Sequence, residues 1–230
     1  HYLLDDVSML HTQVQGLTYE QRFIKRTFDI VFSALAIIVL MPVFVVVAVL
    51  IRMDDGGPIF FLQQRATRNG KIFKVIKFRT MKVHSKNKSA TVDDARITKI
   101  GHKLRKYRID ELPQLFNIFF GDMSFVGPRP EMLENVWTYT EEMPEFKYRL
   151  RVKAGLTGLA QVVGKYNTSP KDKLILDMMY IERFSIWRDI KLIFQTLIVF
   201  LKKDSTEGFD KKHKHIYVVE ETPYEYRIEE

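Results

Sequence analysis

From Ile30 to Ile51 the chain reads IVFSALAIIVLMPVFVVVAVLI, 22 consecutive residues without a charge. As a straight helix this run is about 33 Å long at 1.5 Å per residue, close to the thickness of a bilayer's hydrocarbon core. A buried core helix rarely runs so far without a charged position, and the run lies too deep in the chain for a signal peptide. It is read as membrane-embedded. Pro42 stands near its middle, where a proline removes one helical hydrogen bond and crowds the preceding turn, so a membrane break is expected there. Arg22, Lys25 and Arg26 precede the run and Arg52, Arg65 and Arg68 follow it. The positive-inside bias therefore gives no direction. A kinked spanning helix and a helix–break–helix hairpin returning to the same leaflet both fit.

Beyond Arg52 the pattern changes. Asp54-Asp55-Gly56-Gly57-Pro58 is a turn, and the alternating segments Ile59–Gln63 and Ile72–Phe78, joined by Arg68-Asn69-Gly70-Lys71, predict a β-hairpin. Lys82–Asp94 reads as a polar loop. Helical spacing follows over Ile97–Tyr107, Leu112–Phe120 and Met132–Thr140, then over Lys171–Lys203 as two helices divided near Ser185. The expected fold class is α+β, mostly helical: a membrane helix hairpin and a small catalytic domain with a short β-hairpin and amphipathic interfacial helices. The divisions are an N-terminal segment over 1–21, the membrane element over 22–52, the catalytic part over 53–203 and a polar tail over 204–230. The chain opens at His1 and is read as part of a longer protein.

Composition narrows the chemistry. The chain has 230 residues and no cysteine, which removes disulfide scaffolds, thiol nucleophiles and cysteine-based metal sites together. The net charge is +8, which points to an anionic partner. Between Arg52 and Asp110 there are 16 Lys and Arg against 5 acidic residues, so the excess gathers just after the membrane segment. Anionic headgroups and a phosphorylated substrate both suit such a surface. The six His are scattered, and His213 and His215 lie in a charged tail, so a histidine metal site is not expected.

The densest chemistry lies in Leu104–Pro130. Asp110 reads as a helix N-cap, with Glu111 beside it and Pro113 in the first turn, a setting that favours anions. Neighbours in sequence do not share a helix face, so the two carboxyls are not expected to share a proton. One reaching a metal while the other attacks is easier. Arg105, Lys106 and Arg108 precede the pair, and the rigid Gly127-Pro128-Arg129-Pro130 turn follows it. Lys77 and Arg79 flank Phe78 at the end of the second strand. Several cations around two carboxylates suit phosphoryl transfer, where positive charge stabilises the transferring group.

Several segments together resemble the bacterial sugar transferase family, the monotopic polyprenyl-phosphate phosphoglycosyl transferases. They are Lys25-Arg26-Thr27-Phe28-Asp29, Gly57–Phe61 with Gln64-Arg65, Phe73–Met81 (FKVIKFRTM), Asp110–Asn117 (DELPQLFN), Gly121–Pro130 (GDMSFVGPRP) and Ala154–Gly164 (AGLTGLAQVVG). Lys165–Thr168 and Ser205–Gly208 resemble its exopolysaccharide-type branch. The resemblance implies a re-entrant hairpin with its break at Met41-Pro42 and both ends on the cytoplasmic side of the bacterial inner membrane. It implies transfer of a sugar-1-phosphate from a nucleotide-sugar donor, usually a UDP-sugar, to a polyprenyl phosphate acceptor. On the same basis Asp110 is the nucleophile that forms a phosphosugar–aspartate as UMP leaves, and Glu111 helps hold Mg²⁺. Arg105 and Arg129 match positions that contact phosphate, and Lys77 and Arg79, in the strand motif beside the site, are assigned to substrate phosphate binding with them. Gln114 and Asn117 are assigned supporting hydrogen bonds.

The competing reading is a membrane-tethered basic module that binds anionic lipid or nucleic acid, or a scaffold without catalysis. It explains the charge and the apolar run but gives no reason for Asp110-Glu111 amid cations, and no nucleic-acid motif accompanies it. The tail after Asp204 has two readings, packing on the domain or assembly of a homo-oligomer.

Overall fold

The computed structural model describes residues 2–4, 7–9, 16–83, 94–164 and 168–201. The polar tail, and all but the ends of the Lys82–Asp94 loop, lie outside these residues. A short antiparallel pair, β1 (Tyr2–Leu4) and β2 (Val7–Met9), precedes the main helix.

Helix α1 (Tyr19–Asp55) has 37 residues, about 55 Å of helix. Its start is fixed by a capping box: the Thr18 hydroxyl accepts from the Gln21 amide while the Gln21 side chain accepts from the Thr18 amide. Gly56, at φ 70°, ends it in the left-handed conformation. The pattern left open a kinked helix or a helix–break–helix hairpin, and the resemblance implied the hairpin; the structure has one helix, with Pro42 inside it. A proline deletes one backbone bond, and the helix carries its remaining hydrogen bonds past that point.

One stripe of α1 faces the protein. Lys25, Asp29, Ser33, Phe44, Val47 and Ile51 are buried, and Ala36, Ile37 and Leu40 are partly buried between them. These positions recur at helical spacing. The rest of the apolar run is open, including Phe32, Leu35, Ile38, Val39, Val45, Val46 and Val49. Water does not support an apolar surface of that extent, whereas lipid does. Among the described residues α1 is the one helix long and apolar enough to cross a membrane.

The predicted hairpin is present as β3 (Phe60–Ala66) and β4 (Ile72–Phe78), antiparallel with Phe60 opposite Phe78 and Ala66 opposite Ile72. Phe73, Val75 and Phe78 join Phe44, Val47, Ile51, Leu104, Leu115, Ile118 and Met123 in the larger core cluster. The C-terminal part of α1 thus shares a core with the hairpin and with α2 (Lys99–Lys106) and α3 (Gln114–Phe120). A parallel pair absent from the sequence reading follows: β5 (Met123–Val126) beside β6 (Ala154–Thr157), connected through α4 (Leu133–Glu142) and a 3₁₀ segment, Pro144–Arg151. Both strands have four residues and no alternation, which leaves little local signal. The pairing demands glycine. A Cβ on Gly155 would stand 2.1 Å from the Gly127 amide nitrogen and 2.4 Å from the Thr157 carbonyl oxygen.

The short helix α5 (Leu159–Val163) leads to α6 (Pro170–Glu182) and α7 (Ile186–Leu201), divided where expected. Both present apolar side chains outward, Ile175 and Met179 on α6 and Trp187, Phe194, Leu197 and Ile198 on α7. Inward, Tyr180 and Asp189 meet Lys25 of α1, which ion-pairs with Asp189 and donates to the Tyr180 hydroxyl. Asp29 accepts from the Ser124 hydroxyl and the Phe125 amide, each at 3.0 Å. The first turns of α1 are thereby tied to β5 and to both C-terminal helices.

Candidate active site

Asp110 and Glu111 occupy a 3₁₀ turn, Ile109–Glu111, between α2 and α3. Asp110 therefore does not cap the following helix as expected; Pro113 takes that position. The chain leaves α2 through Arg108, whose φ of 55° is left-handed and unusual for a side chain of that size. This reversal swings the acidic pair back over the end of β4. Asn117 secures α3 against the same strand: its amide oxygen accepts from the Ile76 amide at 2.9 Å and its amide nitrogen donates to the Lys74 carbonyl at 2.8 Å. That is the supporting role expected of Asn117; Gln114 is buried in the same helix.

Glu111 is buried, and its Oε1 accepts from Lys77 Nζ and from Arg129 Nη2, each at 2.9 Å. Three of the expected residues thus meet, drawn from β4, the 3₁₀ turn and the loop after β5. Burial alone would raise the Glu111 pKa, but Arg129 and Lys77, joined by Arg108, hold it well below the usual carboxylate range. Asp110 has the opposite environment. Among the described residues its carboxylate makes no hydrogen bond or ion pair. Burial, helped by the charge of Glu111, pushes its pKa up to about 6, against the opposing pull of Lys77, Arg105 and Arg108.

Arg105, on α2, donates from Nε to the Thr80 hydroxyl at 2.8 Å and lies near enough to Asp110 to stabilise its charge. Arg79 goes elsewhere. Both its terminal nitrogens bond the Asp55 carboxylate at the end of α1, and it also donates to the carbonyls of Pro58 and Met81. Its place is the junction of α1 with the hairpin, and the phosphate contact expected of it has no support in this geometry. The strand explains the split. Residues two apart share a face of a strand, so Lys77 and Arg79 would point the same way if β4 continued; it ends at Phe78, and Arg79, beyond it, turns to Asp55 instead.

Sequence reasoning missed the residues behind Arg129. Arg149 donates to the Arg129 carbonyl at 2.9 Å and pairs with Asp177 of α6, both side chains buried. Arg65 donates to the Pro130 carbonyl at 3.0 Å. One signal was available: Asp177 is a lone acid in the apolar stretch LILDMMYI, a place that demands a partner.

No group of three or more His, Asp or Glu among the described residues could hold a metal by itself. The two carboxylates do fit Mg²⁺, which is commonly held by one or two carboxylates with substrate phosphates completing its shell. The Asp110 carboxylate is unengaged, and both bonds to Glu111 fall on Oε1, so Oε2 has no hydrogen bond among the described residues.

Residues 20–203 match the family described as bacterial sugar transferase. A UDP-N-acetylgalactosamine-undecaprenyl-phosphate N-acetylgalactosaminephosphotransferase of Aeromonas hydrophila is 40% identical over 185 residues, covering 78% of this chain and 44% of the relative. A UDP-glucose:undecaprenyl-phosphate glucose-1-phosphate transferase of Escherichia coli is 37% identical over 199 residues, covering 83% of this chain and 42% of the relative. A UDP-galactose-lipid carrier transferase of Erwinia amylovora is 36% identical over 217 residues, covering 86% and 45%. The chain spans less than half the length of these relatives.

Proposed function

The chain belongs to the bacterial sugar transferase family, and from that premise we propose that it transfers a sugar-1-phosphate from a UDP-sugar to a polyprenyl phosphate at the cytoplasmic face of the inner membrane. The observation that carries the reading is the split between Asp110 and Glu111. Glu111 is neutralised by Lys77 and Arg129, while among the described residues Asp110 has no hydrogen-bond or ion-pair partner amid positive charge.

In the first step a carboxylate oxygen of Asp110 attacks the sugar-bearing phosphorus. The bond to the bridging oxygen breaks, UMP leaves with that electron pair, and a phosphosugar–aspartate remains. In the second, an oxygen of polyprenyl phosphate attacks the same phosphorus, and the acyl-phosphate bond breaks to restore the Asp110 carboxylate. One difficult displacement becomes two easier ones. Lys77, Arg105 and Arg129 surround the charge that moves from bond to leaving group. Mg²⁺, held through Glu111 and the donor phosphates, would neutralise those phosphates when bound. The three relatives name N-acetylgalactosamine, glucose and galactose at 36–40% identity, so the donor is proposed at the level of the UDP-sugar class.

α1 is read as re-entrant. In a straight helix Arg26 and Phe44, 18 residues apart, would be separated by about 27 Å, whereas α3 is about 10 Å long. Arg26 nevertheless donates to the Ile118 and Phe119 carbonyls of α3, and the Phe44 ring lies 5.7 Å from that of Phe116. Contacts at both places favour a helix bent at Pro42 around the catalytic body, with both ends on one side and the outward apolar faces of α6 and α7 on the lipid.

The test is a UDP-sugar panel with Mg²⁺, polyprenyl phosphate and the detergent-solubilised protein, with Asp110→Asn alongside. UMP from the native protein and none from the variant is expected. Release of UDP would mean direct glycosyl transfer and overturn the role given to Asp110.

A further inference from the structure

The Gly127–Pro130 turn, which carries Arg129, has few donors with which to hold its own shape, since Pro128 and Pro130 lack an N–H. Its carbonyls are instead gripped from outside. The Gly155 amide donates to Pro128 at 2.9 Å, Arg149 Nη2 to Arg129 at 2.9 Å and Arg65 Nη1 to Pro130 at 3.0 Å. Just before the turn, the Tyr180 hydroxyl, whose one proton is shared with Asp189 at 2.9 Å, lies 3.2 Å from the Val126 carbonyl.

Three of the points held on this segment trace back to α6. Lys173, Asp177 and Tyr180 stand at i, i+4 and i+7, one face of the helix. Lys173 reaches Glu131 at 3.4 Å, Asp177 reaches the Arg129 carbonyl through Arg149, and Tyr180 reaches Val126. The helix meets the segment 126–131 in register, along one line.

The middle connection is the most buried. Arg149 is 3% exposed and Asp177 1%. Asp177 Oδ2 accepts from Arg149 Nε at 3.0 Å and lies 2.8 Å from Nη2, the same nitrogen that serves the Arg129 carbonyl. The Phe146 ring covers the guanidinium, 4.7 Å from ring centre to its carbon. Removing two charges from water is costly, and a packed apolar pair of similar volume commonly serves stability as well or better. What the ion pair supplies here is direction: a planar fork that fixes one carbonyl in place. Neither side chain touches the carboxylate pair.

We propose that Arg149 and Asp177 are positioning residues, which through the Arg129 carbonyl aim the Arg129 guanidinium at Glu111 and the donor phosphates. α6 is then the frame of the phosphate site as well as a candidate membrane-facing helix. This inference rests on the transferase reading above.

The test is a double-mutant cycle on the full chain, with Asp177→Asn and Arg129→Lys singly and together, read as kcat and KM for the UDP-sugar that the native protein turns over. Asp177→Asn is expected to lower kcat/KM about tenfold with Arg129 present and less than about twofold in the Arg129→Lys background. A purely structural role gives the same loss in both backgrounds and overturns the proposal. Arg149→Lys keeps the charge but not the fork that joins carboxylate to carbonyl. It is expected to retain native circular dichroism and to reproduce the Asp177→Asn loss; native kinetics in this variant would also overturn the proposal. If the native protein turns over no donor, the transferase reading fails separately. The cycle is then read as pyrophosphate affinity by calorimetry, with the same two outcomes.

Discussion

Asp110 and Glu111 are adjacent in the chain and opposite in environment. Glu111 takes two charge-assisted hydrogen bonds at 2.9 Å, and Asp110 takes none among the described residues. A carboxylate paired with Lys and Arg is the weaker nucleophile because the two cations stabilise its charge and hold it below the usual carboxylate range. Asp110 lacks that direct pairing, and Glu111 holds the cations in place beside it.

The first prediction concerns the pH profile of turnover. Attack requires ionised Asp110, whose pKa is pushed up to about 6. kcat/KM should rise about tenfold per unit on the acid side and level above about pH 6–7, the apparent value belonging to the coupled carboxyl pair. A rate of UMP release that is flat from pH 5 to 8 would remove Asp110 from the attacking role.

Stability should move the other way. A carboxyl whose pKa rises on folding, here from 3.8 to about 6, contributes stability that is complete below the unfolded value and lost as pH passes the folded one. Above pH 7 ionised Asp110 therefore costs up to about 3 kcal/mol. Asp110→Asn should melt several degrees above the native protein at pH 7.5, and the advantage should vanish near pH 4. Coincident melting curves at both pH values would refute it.

Arg79 and Lys77 should separate kinetically. Arg79→Met removes the partner of Asp55 and is expected to cost about 2–4 kcal/mol of stability, with the donor KM of the folded protein within about twofold of native. Lys77→Met should instead weaken the donor KM or kcat about tenfold or more. A donor-specific defect in Arg79→Met would return that residue to the phosphate site.

Gly155→Ala tests the parallel pair. The added methyl has no room between the Gly127 amide and the Thr157 carbonyl, so β5 and β6 must part. A loss of about 3 kcal/mol by denaturant titration is expected, and a change below about 1 kcal/mol would show that the strands give way easily.

Topology can be read directly, because the chain contains no cysteine. Single cysteines at Thr18 and Met53, before and near the end of α1, should react with an impermeant maleimide from the same side of oriented vesicles. Labelling from opposite sides would make α1 a spanning helix and exclude the bend at Pro42.

Much of this was legible in the sequence because it depends on local pattern. The apolar run, the alternation over Ile72–Phe78 and the helical spacing over Lys171–Lys203 each report which faces of a segment are greasy, and that fixes its element. The carboxylate pair and the cations that meet at it were also visible, since phosphate chemistry needs those residue types in number. The sequence by itself determined the long apolar helix, the hairpin, the amphipathic helices and the gathering of cations around Asp110 and Glu111.

The tertiary structure decided which charges face which. Whether Asp110 caps a helix or sits in a 3₁₀ turn depends on Arg108 adopting a left-handed φ. Whether Lys77 or Arg79 reaches Glu111 depends on β4 ending at Phe78, between them, which frees Arg79 to turn toward Asp55. The pairing of Met123–Val126 with Ala154–Thr157, and of Arg149 with Asp177, joins residues about thirty positions apart. Local propensity carries no information about such pairs, because the energy that selects them, close backbone approach and the mutual neutralisation of buried charge, exists only after the chain has folded back on itself.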